Sequence, residues 1–271
     1  DVVIVAAGAT LNATGVISFT ATSATKNNST GAGNATLTAA DGGNRTISVA
    51  AATGSSKAFT LTGGNGNDTL TGGAGTDIIT GSAGNDIITG GAGNDIITVD
   101  VGTDTVLDLG GAGGDEDDVV VIEAGATLAA TGIAGFTATN VTTNKSTGAG
   151  NATLTAKADA AVTINVSGAK SDSKGFTLEG GSGTGNDILT GGAGADIITG
   201  GAQVDTITGG GEVDTIAGGA GNDIITGGAG NDIITVDVGT DTVLDLGGAG
   251  GDEDDVVVIE AGATLAATGI A

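Results

Sequence analysis

The feature that most constrains this chain is a nine-residue repeat. Its clearest copies are GSAGNDIITGGAGNDIIT at 81–98 and GGAGNDIITGGAGNDIIT at 218–235. Ten complete or near-complete copies fall into two arrays, and in each copy Ile or Leu lies two positions after an aspartate. A disordered low-complexity linker would not keep Asp and Ile in register in this way. The arrays are therefore predicted to be folded.

A larger repeat contains the small one. Residues 84–134 and 221–271 are identical, and DVVIVAAGATLNATG at Asp1 recurs as DVVVIEAGATLAATG at Asp118. We interpret the chain as part of a longer tandem array, in which the second unit has gained two nonapeptides. The predicted segments are Thr/Ala-rich β segments at 1–62 and 118–179, nonapeptide arrays at 63–107 and 180–244, acidic junctions at 108–117 and 245–254, and the start of a third unit at 255–271.

The composition narrows the possible functions. The chain contains no His, Cys or Tyr, so the commonest general bases, nucleophiles and zinc ligands are missing, and we expect no enzyme activity. Its net charge of −25 opposes nucleic-acid binding, which requires a basic surface, and favours cations. The longest Val/Ile/Leu runs, such as Val119–Ile122, are too short to span a membrane.

The Thr/Ala-rich segments contain short runs in which polar and apolar residues alternate. Examples are ISFTAT (17–22), NATLTA (34–39), RTISVA (45–50) and AFTLTG (58–63). A period of two with β-branched residues predicts strands, and no segment shows sustained helical periodicity, so the chain is predicted to be all-β. These segments form either further coils of a β-solenoid or small β-sandwiches. We favour the solenoid, because few large side chains are available to fill a sandwich.

The nonapeptide resembles GGxGxDxUx, the calcium-binding repeat of the RTX (repeats-in-toxin) proteins. This resemblance implies a parallel β-roll in which six residues form a turn and three a short strand, with two nonapeptides in each coil. It also implies that glycines at positions one, two and four permit positive φ. The aspartate at position six then supplies carboxylate oxygens to Ca²⁺ ions held between coils, an environment that suits this hard cation.

Transferred to this sequence, the resemblance gives twelve candidate metal ligands, two of them in degenerate repeats (Asp104 and Asp241). Aspartates eighteen residues apart are expected to share an ion, which gives on the order of seven or eight sites. Gln203 and Glu212 replace the glycine at the fourth position of their repeats. Ser82 replaces the glycine at the second position, which we expect to be the milder substitution. The candidates are Asp68, Asp77, Asp86, Asp95, Asp104, Asp187, Asp196, Asp205, Asp214, Asp223, Asp232 and Asp241.

Two further features leave alternatives open. The acidic junctions, Asp115–Asp118 with Asp108 and Asp252–Asp255 with Asp245, either bind additional ions or form solvated turns, and we favour the turns. In the strand tripeptide, alternation places the eighth-position residue inward and the seventh and ninth outward. The resulting ladders of exposed Ile and Thr either mediate lateral self-association, which we favour slightly, or reflect β-propensity alone.

Together these features predict a calcium-stabilised structural repeat protein that forms a filament, surface layer or fibre. Its expected partners are Ca²⁺ and copies of itself. The RTX resemblance implies a bacterial protein that is secreted by a type I system and located outside the cell or on its surface. One alternative is the repetitive stalk of a giant RTX adhesin. A less favoured one is the calcium-binding tail of a secreted enzyme.

Overall fold

The computed structural model describes residues 2–29, 35–54, 58–109, 118–146, 152–158, 160–170, 174–246 and 254–267. All regular structure in these ranges is β, as predicted, and none of them contains a helix long and apolar enough to cross a membrane. Most of each acidic junction, residues 110–117 and 247–253, lies outside the described residues.

The chain divides into two compact units, Asp1–Ala130 with Lys145–Thr147 and Thr131–Asn144 with Gly148–Ala271. The first fourteen strands are β1 (Ile4–Val5), β2 (Leu11–Val16), β3 (Ser18–Thr20), β4 (Lys26–Asn27), β5 (Ala35–Ala39), β6 (Thr46–Ser48), β7 (Thr60–Asn65), β8 (Thr69–Thr71), β9 (Ile78–Ala83), β10 (Ile87–Thr89), β11 (Ile96–Val99), β12 (Gly102–Val106), β13 (Val119–Ile122) and β14 (Ala126–Ile133). The others are β15 (Phe136–Thr137), β16 (Thr143–Asn144), β17 (Ala152–Ala156), β18 (Thr163–Asn165), β19 (Thr177–Glu179), β20 (Ile188–Thr190), β21 (Ile197–Ala202), β22 (Thr206–Gly211), β23 (Thr215–Ala220), β24 (Ile224–Ala229), β25 (Ile233–Val236), β26 (Thr240–Val243), β27 (Val256–Ile259) and β28 (Thr264–Ala267).

Each unit is a parallel β-solenoid. In the first unit the strands form the ladders β2-β5-β7-β9-β11-β13 and β3-β6-β8-β10-β12-β14, beside a small β1-β4 pair. In the second they form β17-β19-β21-β23-β25-β27 and β15-β18-β20-β22-β24-β26-β28. Within the arrays, successive strands alternate between two ladders, so each coil contributes one strand to each. The predicted fold class is confirmed.

The Thr/Ala-rich segments continue the solenoid and do not form sandwiches. Ile47 is in register with Leu70, so β6 of the first segment pairs in parallel with the array strand β8. In the second unit Ile164 is likewise in register with Leu189 of the array strand β20. These coils are longer than the eighteen-residue coils of the arrays. A solenoid coil needs only a thin apolar interior, and the few large apolar side chains of these segments are enough to fill it.

The interior is a stack of eighth-position side chains. Ile79, Ile88 and Ile97 are fully buried, as the alternation predicts. Ile97 is in register with Ile79 on one side and Val120 on the other, so each apolar residue packs between equivalents in the adjacent coils. Burial of this continuous ladder is the main hydrophobic contribution to the arrays.

The turns require backbone conformations that favour glycine. Positive φ occurs at most of the second and fourth positions, as at Gly64 (93°) and Gly66 (127°). Gln203, Glu212 and Ser82 adopt the same region at 79°, 68° and 71°. A side chain makes this conformation costly by roughly 1–2 kcal/mol. The Ser82 change is therefore no milder for the backbone than the other two.

We expect Ile88→Ala to lower the free energy of unfolding in calcium by about 2–5 kcal/mol, because the substitution opens a cavity in the buried ladder. Ile87 is the matched control on the same strand: it is 43% exposed, so Ile87→Ala should cost far less. Denaturant titration of both variants in saturating calcium measures the difference. Equal costs would contradict the assigned orientation of the strand.

Candidate functional site

The structure places all twelve predicted aspartates at equivalent points of the solenoid. Each is buried, with at most 4% of its surface exposed, and each lies where a turn enters a strand or, for Asp104 and Asp241, within the short strand itself. Residues eighteen positions apart lie in adjacent coils and form rows. The rows are Asp68–Asp86–Asp104 and Asp77–Asp95 in the first unit, and Asp187–Asp205–Asp223–Asp241 and Asp196–Asp214–Asp232 in the second.

One carboxylate oxygen of each aspartate connects adjacent coils. The backbone N–H of Asp68 donates to Oδ1 of Asp86 over 2.7 Å, and the N–H of Asp86 donates to Oδ1 of Asp104 over 2.9 Å. In the second unit the N–H of Asp196 donates to Asp214 over 2.7 Å. These hydrogen bonds fix the orientation of every carboxylate in the row.

The rows extend to two residues that the sequence analysis placed in the acidic junctions and not among the twelve candidate ligands. The backbone N–H of Asp95 donates to Oδ1 of Asp118, and that of Asp232 to Oδ1 of Asp255, over 2.8 and 2.9 Å. Both partners are 23 residues away instead of eighteen, because the acidic junction lengthens the coil. The signal that could have found them is the sequence DVVVI, in which Asp is followed by apolar strand residues, as in DIIT.

The second carboxylate oxygen is buried in most turns and lacks a protein donor. Within the described part of the chain, Oδ2 accepts no hydrogen bond at Asp68, Asp86, Asp104, Asp205, Asp214, Asp223 and Asp241. Asp77 and Asp196 differ, because the N–H groups of Gly73 and Gly192 donate to their Oδ2 atoms over 2.6 and 2.7 Å. A buried, unpaired carboxylate oxygen is costly, and a bound cation would compensate it.

The first glycine of the repeat makes room for these oxygens. A Cβ atom on Gly63 would lie 2.7 Å from Oδ2 of Asp68, and one on Gly72 would lie 2.5 Å from Oδ2 of Asp77. The carbonyl oxygen of Gly90, one coil further on, also borders Gly72. The expectation of positive φ at this first position was wrong. Glycine is needed there for space, beside a carboxylate and a carbonyl oxygen.

Burial and like charge make these carboxyl groups reluctant to ionise. Burial raises the pKa of Asp214 to about 8, and the neighbouring carboxylates of Asp196 and Asp232 contribute to the increase. Burial raises the pKa to about 6 at Asp77, Asp86, Asp104, Asp196 and Asp205. A divalent cation in the row would favour the ionised form of each group.

Comparison with known families identifies the arrays. The model of the RTX calcium-binding nonapeptide repeat matches four times, at 60–86, 71–106, 181–216 and 208–243. The two arrays are RTX calcium-binding repeats. The matches cover less than half of the chain and leave out most of the Thr/Ala-rich segments. No curated protein and no solved structure matches significantly.

RTX repeats bind Ca²⁺ and are structural elements rather than catalytic ones. The oxygen atoms in these arrays suit that ion. Ca²⁺ takes about six to eight oxygen ligands at roughly 2.3–2.6 Å and accepts both carboxylate and backbone carbonyl groups. The buried Oδ2 atoms and the glycine carbonyl groups of the RTX turns provide both kinds.

The pKa shifts predict opposite pH dependences with and without calcium. A carboxyl whose pKa is raised from 3.8 to about 6 or 8 in the folded chain binds more protons folded than unfolded. The metal-free fold is therefore most stable near pH 4 and loses stability as pH rises through about 6 to 8. Protons compete with calcium, so the calcium concentration needed for folding should rise as pH falls.

Circular dichroism of dialysed, metal-free protein between about pH 8 and pH 4 checks the first trend, and calcium titrations over the same range check the second. A β-sheet signal that is strongest at alkaline pH without metal would contradict the assignment of buried, unpaired carboxylates.

Proposed function

We propose that the aspartate rows of the RTX arrays are the calcium ligands, with each ion held between neighbouring coils. This proposal is supported by the different environments of the two oxygen atoms of each carboxylate. Oδ1 accepts a backbone N–H from the adjacent coil, while Oδ2 at Asp68, Asp86, Asp205, Asp214 and Asp223 is buried without a donor among the described residues. Pairing neighbouring members of a row gives on the order of eight sites among the twelve aspartates, and about ten when Asp118 and Asp255 are included.

Calcium then acts as the folding switch of the repeat. The chain carries a net charge of −25 and contains 55 glycines, so without cations its coils repel one another and ordering is entropically costly. Binding free energy becomes folding free energy when only the folded chain assembles the site. Extracellular modules use calcium in the range of about 10⁻⁴–10⁻³ M, which fits a protein that folds outside the cell.

We further propose that the folded repeat is a building element of an extracellular filament, surface layer or fibre. The sequence segments 84–134 and 221–271 are identical. Such repetition suits regular assembly better than it suits one specific binding site. One face of the first unit supports lateral association: Ile78, Ile96 and Val119 are in register on adjacent strands and point outward. Ile96 is 38% exposed.

The second unit favours a different role, the stalk of an adhesin. Here isoleucine alternates with threonine along the outward ladder, in the register Ile197, Thr215 and Ile233. The opposite ladder alternates in the same way through Ile188, Thr206 and Ile224. An interrupted apolar stripe gives less contiguous surface for association. A calcium-binding tail of an enzyme would require a catalytic domain elsewhere in a longer protein.

Negative-stain imaging of the protein in calcium, and again after chelation, tests the proposal. Filaments or sheets that dissolve on chelation are the expected result. Isolated rods in calcium would replace the assembly hypothesis with the stalk.

The double variant Ile78→Ser/Ile96→Ser tests the outward ladder itself. Neither side chain belongs to the buried stack, so the variant should keep its calcium-dependent β-sheet signal. Assembly should weaken, because two apolar contacts are lost from the face. Thr80→Ser/Thr98→Ser on the same strands is the control and should assemble like wild type. If the isoleucine variant assembles like wild type, the outward ladder does not mediate lateral association.

A further inference from the structure

The last nonapeptide of each array carries a carboxylate at its second position, where the other repeats have none. Its sequence, VDVGTDTVL, occurs at 99–107 and 236–244. Asp100 and Asp237 occupy its second position, where the preceding coils have glycine or, at one point, Ser82. These two residues lie outside the sixth-position rows, and the RTX motif does not account for them.

In the second unit this additional residue forms a cluster with two members of a row. Carboxylate oxygens of Asp223, Asp237 and Asp241 all lie within 4.8 Å of one another. Two ligands on opposite sides of a single Ca²⁺ ion, each at about 2.3–2.6 Å, are separated by at most about 5 Å. The cluster therefore has the dimensions of one calcium coordination sphere.

The oxygens of the cluster lack protein donors. Asp223 and Asp241 are fully buried, and Oδ2 of both, together with Oδ1 of Asp237, accepts no hydrogen bond from the residues that the structure describes. Three such oxygens in one place cannot be relieved by hydrogen bonding to each other while all three groups are ionised. A cation satisfies them together.

The three carboxylates are also held in fixed orientations. Oδ1 of Asp223 accepts the backbone N–H of Asp205, and Oδ1 of Asp241 accepts that of Asp223, both over 2.9 Å. The carboxylate of Asp237 accepts a hydrogen bond from the backbone of Gly219. An open groove of about 360 Å³ lies beside the same turns, and its lining includes Asn222 and Val238, the chain neighbours of Asp223 and Asp237.

We propose that Asp223, Asp237 and Asp241 form a three-carboxylate calcium site that closes the second array and binds more tightly than the two-carboxylate sites of the preceding coils. This inference rests on the proposed calcium binding and adds a distinct class of site to it. Ligand charge count sets calcium affinity over several orders of magnitude, so the additional carboxylate matters.

The first unit carries Asp86, Asp100 and Asp104 at the equivalent positions of its last coils. The backbone N–H of Ser82 donates to Oδ2 of Asp100 over 3.1 Å, which is the counterpart of the Gly219 contact. Among the described residues, however, only the second unit brings three such carboxylates within 4.8 Å of one another. The proposal is therefore confined to the second array.

Equilibrium dialysis of the full chain over a range of free Ca²⁺ concentrations tests the proposal by counting bound ions. Wild type should retain one ion per chain at concentrations too low to fill the other sites. Asp237→Gly should lose this ion, with affinity there falling at least about tenfold, whereas Asp100→Gly, the same substitution in the first array, should retain it. Glycine restores the residue that Gly210 and Gly228 provide in preceding coils, so folding in excess calcium should be kept.

Asp254→Asn is the charge-matched control, because Asp254 is exposed and its loss should leave the tight ion in place. If Asp237→Gly binds calcium as wild type does, the three-carboxylate site is overturned while the sites of the rows remain. If wild type itself binds no calcium, the proposed function fails as well. Asp237→Asn, which keeps the shape of the side chain, gives the same readout if the glycine variant does not fold.

Discussion

The structure depends on the aspartate carboxylate of the repeat, whose two oxygen atoms have different roles. In each RTX turn, one oxygen of the aspartate accepts a backbone N–H from the neighbouring coil, as at Asp68 and Asp86, and this sets the register of the stack. The same contact buries the second oxygen beside a glycine carbonyl, where most turns offer it no donor. The geometry that aligns the coils therefore creates the requirement for a cation.

Several other properties of the chain follow from this constraint. The first position of the repeat has to be glycine, because the aspartate Oδ2 leaves no space for a Cβ atom there. The buried ladder of Ile79 and Ile97 stabilises the coil, but it is thin, so neither it nor the glycine-rich turns can easily offset a row of buried negative charges. Under the proposed function, stability therefore depends on the calcium concentration around the protein.

Much of this arrangement can be predicted from the sequence, because the nine-residue spacing of the aspartates is directly visible in it. The all-β solenoid, the inward Ile88 and the alignment of Asp205 with Asp223 in adjacent coils follow from spacing and alternation. Asp118 and Asp255 were assigned to the acidic junctions and not to the rows, because the junction changes the spacing between coils. The role of Gly72 was misassigned, since lack of space and positive φ both select glycine. The cluster around Asp237 arises only when coils stack and bring the second and sixth positions together.

The most direct test of the central claim is far-UV circular dichroism of metal-free protein near neutral pH as calcium is added. The account predicts a largely disordered spectrum that converts to β-sheet as the aspartate rows fill. A full β-sheet spectrum without metal, unchanged by calcium, would contradict it, because the buried oxygens would then need no cation.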